Sequence, residues 1–100
     1  MYTLDRLSKW YLSNCVDDWH EDKGVKIDTL DNPGWSITID LLSTYVESKA
    51  FDNLIVDRSD NDWYRIWRTD VTFEIACGPL NLREAVDIFL DWAEAADQRG

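Results

Sequence analysis

His20 is the only histidine in the chain and precedes two acids, Glu21 and Asp22. A metal site would need further ligands at helix or hairpin spacing, and neither a second histidine nor a cysteine pair supplies them. His20 reads as a solvated loop residue. Asp57-Arg58-Ser59-Asp60-Asn61-Asp62 begins like a calcium loop, but the sixth position should be Gly and the twelfth Glu; here they are Asp62 and Arg68. An acidic β-turn fits better. Cys15 and Cys77 would be nucleophiles only beside a histidine, and Cys77 falls on an apolar, alternating segment. Twenty acidic residues make carboxylate pairs inevitable by chance, and no phosphate-binding glycine loop or Gly-x-Ser-x-Gly elbow occurs. No enzyme activity is expected, and no metal or other cofactor.

Trp63, Arg65 and Trp67 alternate with Tyr64, Ile66 and Arg68, so each set occupies one face of a strand. One face must look away from any covering helix. Arginine stacked on tryptophan within the sheet and a protein-binding surface both account for the first set.

The elements that position these residues are legible from periodicity. Thr3 to Asn14 reads as a helix with Thr3 as N-cap, Asp5 in the first turn, and Leu4, Leu7, Tyr11 and Cys15 on one stripe. An acidic connector from Asn14 to Lys23 carries Asp17, Asp18, Glu21 and Asp22 around Trp19. Strands follow at Gly24–Leu30, Trp35–Leu42, Asn53–Arg58, Trp63–Arg68 and Val71–Cys77, with Ser43–Asp52 a loop or bend. Between the first two strands, Asp31-Asn32-Pro33-Gly34 reads as a type II turn, Pro33 presetting φ and Gly34 accepting positive φ. Gly78-Pro79 stops the sheet. Asn81 then caps a last helix, Glu84 standing in capping-box position, with Leu82, Val86, Phe89, Leu90 and Ala93 on its apolar face. The expected class is α+β: N-terminal helix, antiparallel meander of about five strands, C-terminal helix, both helices on one sheet face.

One hundred residues, 45% of them hydrophobic, suit a single domain over residues 1–100 with a modest core. The net charge of −10 repels nucleic acid and anionic membranes and attracts basic partners. Two cysteines far apart make no disulfide framework, and neither a leader nor a membrane-length apolar run is present, so a cytoplasmic location is expected. Six tryptophans exceed what so small a core needs, leaving some for a surface.

From about Leu7 to Trp92 the chain resembles the immunity protein 53 family of bacterial polymorphic toxin systems. The resemblance rests on Trp10-Tyr11, Cys15, Asp18-Trp19 before Gly24, and Thr29-Leu30-Asp31-Asn32-Pro33-Gly34-Trp35 with Ile39-Asp40-Leu41 behind it. Asn61-Asp62-Trp63, Gly78-Pro79 and Phe89-Leu90-Asp91-Trp92 complete it. It implies an immunity protein that binds and neutralises a cognate toxin, with no catalytic residues. Composition adds that the toxin domain should be basic. Candidate contacts are Asp17, Asp18, Trp19, Glu21 and Asp22 in the connector, and Asp60, Asp62, Trp63 and Trp67 on the sheet; Trp19 serves equally well as an anchor or as core. The alternative is an acidic housekeeping interaction module or a subunit of a larger complex.

Overall fold

The computed structural model describes residues 2–14 and 24–95. Cys15 and the connector residues Asp17, Asp18, Trp19, His20, Glu21 and Asp22 lie outside them. The elements are α1 (Thr3–Ser13), β1 (Val25–Leu30), β2 (Gly34–Asp40), β3 (Leu54–Ser59), β4 (Asp62–Arg68), β5 (Thr72–Cys77) and α2 (Leu82–Ala95). The expected helix, antiparallel five-stranded sheet and helix are all present. Strand order is β1-β2-β5-β4-β3, so the β1–β2 hairpin lies beside a β3-β4-β5 meander and β2 pairs with β5. Residues 41–53 carry the chain to the far edge.

Alternation decides which face is buried. Ile37, Ile39, Tyr64, Ile66, Phe73, Ile75 and Cys77 point toward α2, whose Ala85, Val86, Phe89, Leu90 and Ala93 close the core. Aromatic edges organise its centre: Phe73 meets Phe51 and Phe89 in T-shaped pairs with centroids 4.8 Å apart, and Trp10 reaches Phe89 at 5.0 Å. Such pairs add roughly 0.5–1.5 kcal/mol each beyond their buried area.

Several local expectations are corrected. Thr3 is the first helical residue, not the cap. Tyr2 precedes it without a side-chain cap bond, and the Thr3 hydroxyl instead donates to Asp87 of α2 at 2.6 Å. The inward stripe of α1 is Leu7, Trp10 and Asn14, while Leu4 and Tyr11 are exposed. This rotation of α1 on α2 packs Leu7 and Trp10 against the core and lets Arg6 bond Asp87, Asp91 and Glu94.

Gly34 does not occupy a positive-φ turn position; among the described glycines only Gly24 has positive φ, at 134°. The turn is Asp31-Asn32-Pro33, and Gly34 opens β2 opposite Leu30. Glycine is required there because a Cβ would lie 2.3 Å from the backbone carbonyl oxygen of Cys77 on β5.

Asn81 opens α2 through its carbonyl, which accepts the Ala85 N–H. Its side chain does not cap its own helix but holds β4: Oδ1 accepts the Trp63 N–H, and Nδ2 donates to Asp62 and Glu84. Residues 41–53 form successive turns, pinned by Arg68, which donates to the carbonyls of Val46, Glu47 and Lys49, and by Trp92, whose indole N–H donates to Ala50.

Candidate functional site

The sheet face opposite the helices is built by register. Arg65 of β4 sits between Ala76 of β5 and Ile55 of β3, and Ser36 of β2 continues that row. One row along, Trp67 pairs with Glu74, which pairs in turn with Thr38; at the other end Trp63 pairs with Asp57. Ser36 and Ala76 are small, so the middle of the sheet is low while Trp63, Trp67 and Ile55 stand up on one side. Trp63 and Trp67 are half-buried by their strand neighbours, and Ile55 is 70% exposed. Among the described residues no helix or strand covers this face.

At the Trp63 end lies a polar cleft of about 220 Å³, lined by Asn32, Asp57, Ser59, Asp60, Trp63 and Arg65. The Arg65 guanidinium lies 6.0 Å from the Trp63 ring centroid, the outer limit of a cation–π contact. Asp57 and Asp60 form no ion pair among the described residues. The cleft thus combines an aromatic wall with two available carboxylates, a set suited to a cationic side chain.

Of the candidates named from sequence, Asp60, Trp63 and Trp67 come together on this face. Asp62 is separated from Asp60 by the turn and points to the helix side. It pairs with Arg58 at 2.8 Å and accepts the Asn81 amide, and the Arg58 bond, then the Asn81 bond, hold its carboxyl below the ordinary range. Its contacts hold the β3–β4 turn to α2, since Arg58 also reaches Glu84 at 3.0 Å. Asp17, Asp18, Trp19, Glu21 and Asp22 lie outside the described residues.

Asn32, Ile55 and Asp57 escaped the sequence reading. Their signal is non-local: only the pairing of β3 with β4 and the placement of the 31–33 turn bring them beside Trp63. Cys77 is buried below Trp35, and desolvation pushes its thiol up to about 11, leaving it protonated and shielded at neutral pH. No group of three or more metal-ligating side chains gathers among the described residues. No helix among them is long and apolar enough to cross a membrane.

Comparison with known families bears directly on this arrangement. The family model described as immunity protein 53 matches residues 4–94. The chain belongs to the immunity protein 53 family. The matched stretch contains both helices except their outermost residues and the whole sheet. Membership supports an immunity role, and immunity proteins are generally not enzymes. Neither the curated proteins nor the solved structures yield a match.

Proposed function

We propose that this chain is a cytoplasmic immunity protein, one domain over residues 1–100, that binds and neutralises a cognate polymorphic toxin by stoichiometric inhibition. The observation that supports it most is the uncovered sheet face, where Trp63 and Trp67 stand on one side of a low centre, beside the Asp57–Asp60 cleft. Buried aromatics of this kind dominate affinity at protein interfaces. The net charge of −10 favours a basic toxin surface and speeds encounter. In this reading Asp60, with Asp17, Asp18, Glu21 and Asp22 from the connector, steers the toxin. Trp63 and Trp67 hold it, with Trp19 a further anchor, and Asp62 contributes by fixing the turn that presents Asp60.

Co-expression with the toxin encoded by the adjacent gene tests the reading. Rescue of growth and a 1:1 complex on gel filtration are expected. Trp63→Ala and Trp67→Ala should raise the off-rate at any salt, while Asp60→Lys should lower the on-rate only at low salt. Unrelieved growth arrest without a complex would refute the immunity role. A complex indifferent to both tryptophan variants would move the interface elsewhere.

A further inference from the structure

Among the described residues β1 is an edge strand that pairs with β2 alone, in an unbroken register from Val25 opposite Ile39 to Leu30 opposite Gly34. The phase of its ladder follows from one bond: the Asp40 N–H donates to the Gly24 carbonyl at 3.0 Å. Opposed residues in an antiparallel pair alternate between hydrogen-bonded and non-hydrogen-bonded positions. Gly24, Lys26, Asp28 and Leu30 therefore direct their backbone groups to β2. Val25, Ile27 and Thr29 direct theirs outward, to the open edge.

The side chains divide the same way. Lys26 and Asp28 are exposed on the outer sheet face, and neither forms an ion pair among the described residues. Ile27, 40% exposed, lies on the helix face and lines a groove of about 670 Å³ with Leu4, Leu7, Leu82 and Val86. Tyr2 and Leu4, 84% and 71% exposed, border it.

The opposite edge is blunted. The β3–β4 register shifts between Asp57 and Ser59, and Arg58 at that bulge is tied to Asp62 and Glu84. Bulges are a common protection against strand addition. β1 has none.

We propose that the β1 edge is occupied by a second copy of the chain, the two β1 strands pairing antiparallel about a twofold axis at Ile27. Ile27 then faces its counterpart, Val25 faces Thr29, and Lys26 of each copy lies opposite Asp28 of the other. The outward backbone groups meet in about six hydrogen bonds. The two Lys26–Asp28 pairs fall at the non-hydrogen-bonded positions, where opposed side chains are closest. Placing the axis at Lys26 or Asp28 instead keeps the outward backbone groups in phase but sets like charges face to face, while an axis between two residues would oppose outward groups to ones already bonded to β2. Hydrogen-bond phase therefore places the axis on a residue, and charge selects Ile27 over Lys26 and Asp28.

Strand pairing alone buries little of the roughly 1,000 Å² a stable interface needs. Tyr2, Leu4 and Ile27 beside the axis supply apolar area, and the contact is isologous and closed. Net repulsion between two chains of charge −10 is screened beyond ~8 Å at physiological ionic strength, whereas the Lys26–Asp28 pairs are in contact. The Trp63 face lies on β4, with β2 and β5 between it and β1, and stays open in both copies.

Sedimentation equilibrium of the full chain over a dilution series, at physiological ionic strength, tests the proposal. The parent should be a reversible dimer. Lys26→Asp and Asp28→Lys should each weaken it by about tenfold or more, as both pairs become repulsive. The double variant should regain the parent's dissociation constant, and an equimolar mixture of the two single variants should form a heterodimer. Ile27→Pro removes an outward N–H without touching the β1–β2 ladder and should also dissociate the dimer, with circular dichroism verifying that each variant folds. A parent that stays monomeric overturns the proposal. So does a dimer insensitive to the charge variants, and so does a monomer whose β1 variants lose only toxin binding, which would give the edge to the toxin.

Discussion

Replacing Gly34 by alanine adds one methyl group, and the structure says what that methyl meets. The new Cβ would stand 2.3 Å from the Cys77 carbonyl oxygen and 3.4 Å from its carbon. Both atoms are backbone of β5, so no side-chain rotation relieves the contact; β2 and β5 must separate where their ladder ends, at the Trp35–Cys77 pair. Overpacking typically costs 1–3 kcal/mol; the obstacle is rigid backbone but stands at the end of the ladder, where the strands can splay, so the expected cost is about 2 kcal/mol. For a domain of this size each kcal/mol lowers the melting midpoint by roughly 4–8 °C, so the expected drop is about 8–16 °C. Gly34→Asn separates this account from one based on φ. Asparagine tolerates positive φ far better than alanine, yet it carries the same Cβ, so it should be no milder. Thermal melting followed by circular dichroism measures both variants. An alanine variant within a few degrees of the parent, or an asparagine variant markedly more stable than alanine, would refute the reasoning.

Arg6→Ala should destabilise the chain by about 1 kcal/mol, a modest figure because its partners Asp87, Asp91 and Glu94 are 36–73% exposed and solvent-screened. Hydrogen exchange should locate the loss in α1. The Asp62 carboxyl, held down by Arg58 and Asn81, should titrate below the ordinary 3.8. Its stabilising contribution is complete above that value and is lost as pH falls through the lower folded-state pKa. NMR titration should find Asp62 shifted back up in Arg58→Ala. In a Cys15→Ser background, Cys77 should resist thiol reagents until the protein unfolds, since it is fully buried and its thiol is raised to about 11.

The sheet was legible because its strands alternate cleanly and its turns are punctuated by polar residues. Ile37 and Ile39, then Phe73, Ile75 and Cys77, sit on the buried face that periodicity assigns them. The local details that differ all depend on a partner distant in sequence. Thr3 gives its hydroxyl to Asp87, and Gly34 is constrained by the Cys77 carbonyl. Asn81 turns its Oδ1 to the Trp63 N–H of β4, and shares its amide between Asp62 of β4 and Glu84, instead of capping a backbone N–H of its own helix. In each case a residue chosen for a long-range contact resembles, in sequence, one chosen for a local motif. Capping and turn rules describe what a residue can do for its neighbours along the chain, and a competing tertiary partner overrides them.

The same reasoning explains the uneven reading of the candidate site. That Trp63, Arg65 and Trp67 share a face follows from the two-residue period of a strand and needs no fold. That this face looks away from both helices follows from the burial of Tyr64 and Ile66 in the core, and that Asp57, Ile55 and Asn32 join it follows only from the pairing of β3 with β4 and the place of the 31–33 turn. Asp60 and Asp62 show the limit most clearly. Two residues apart around a turn, they read as one acidic cluster; the structure puts Asp60 in the open cleft and commits Asp62 to Arg58 and Asn81 on the helix side. Net charge therefore describes the field a partner feels at a distance, while strand register decides which carboxylates it can touch. The proposed interface depends on β3 and β4 jointly, so a change at the Arg58 bulge that leaves every outer-face residue in place should still disturb the Trp63 cleft.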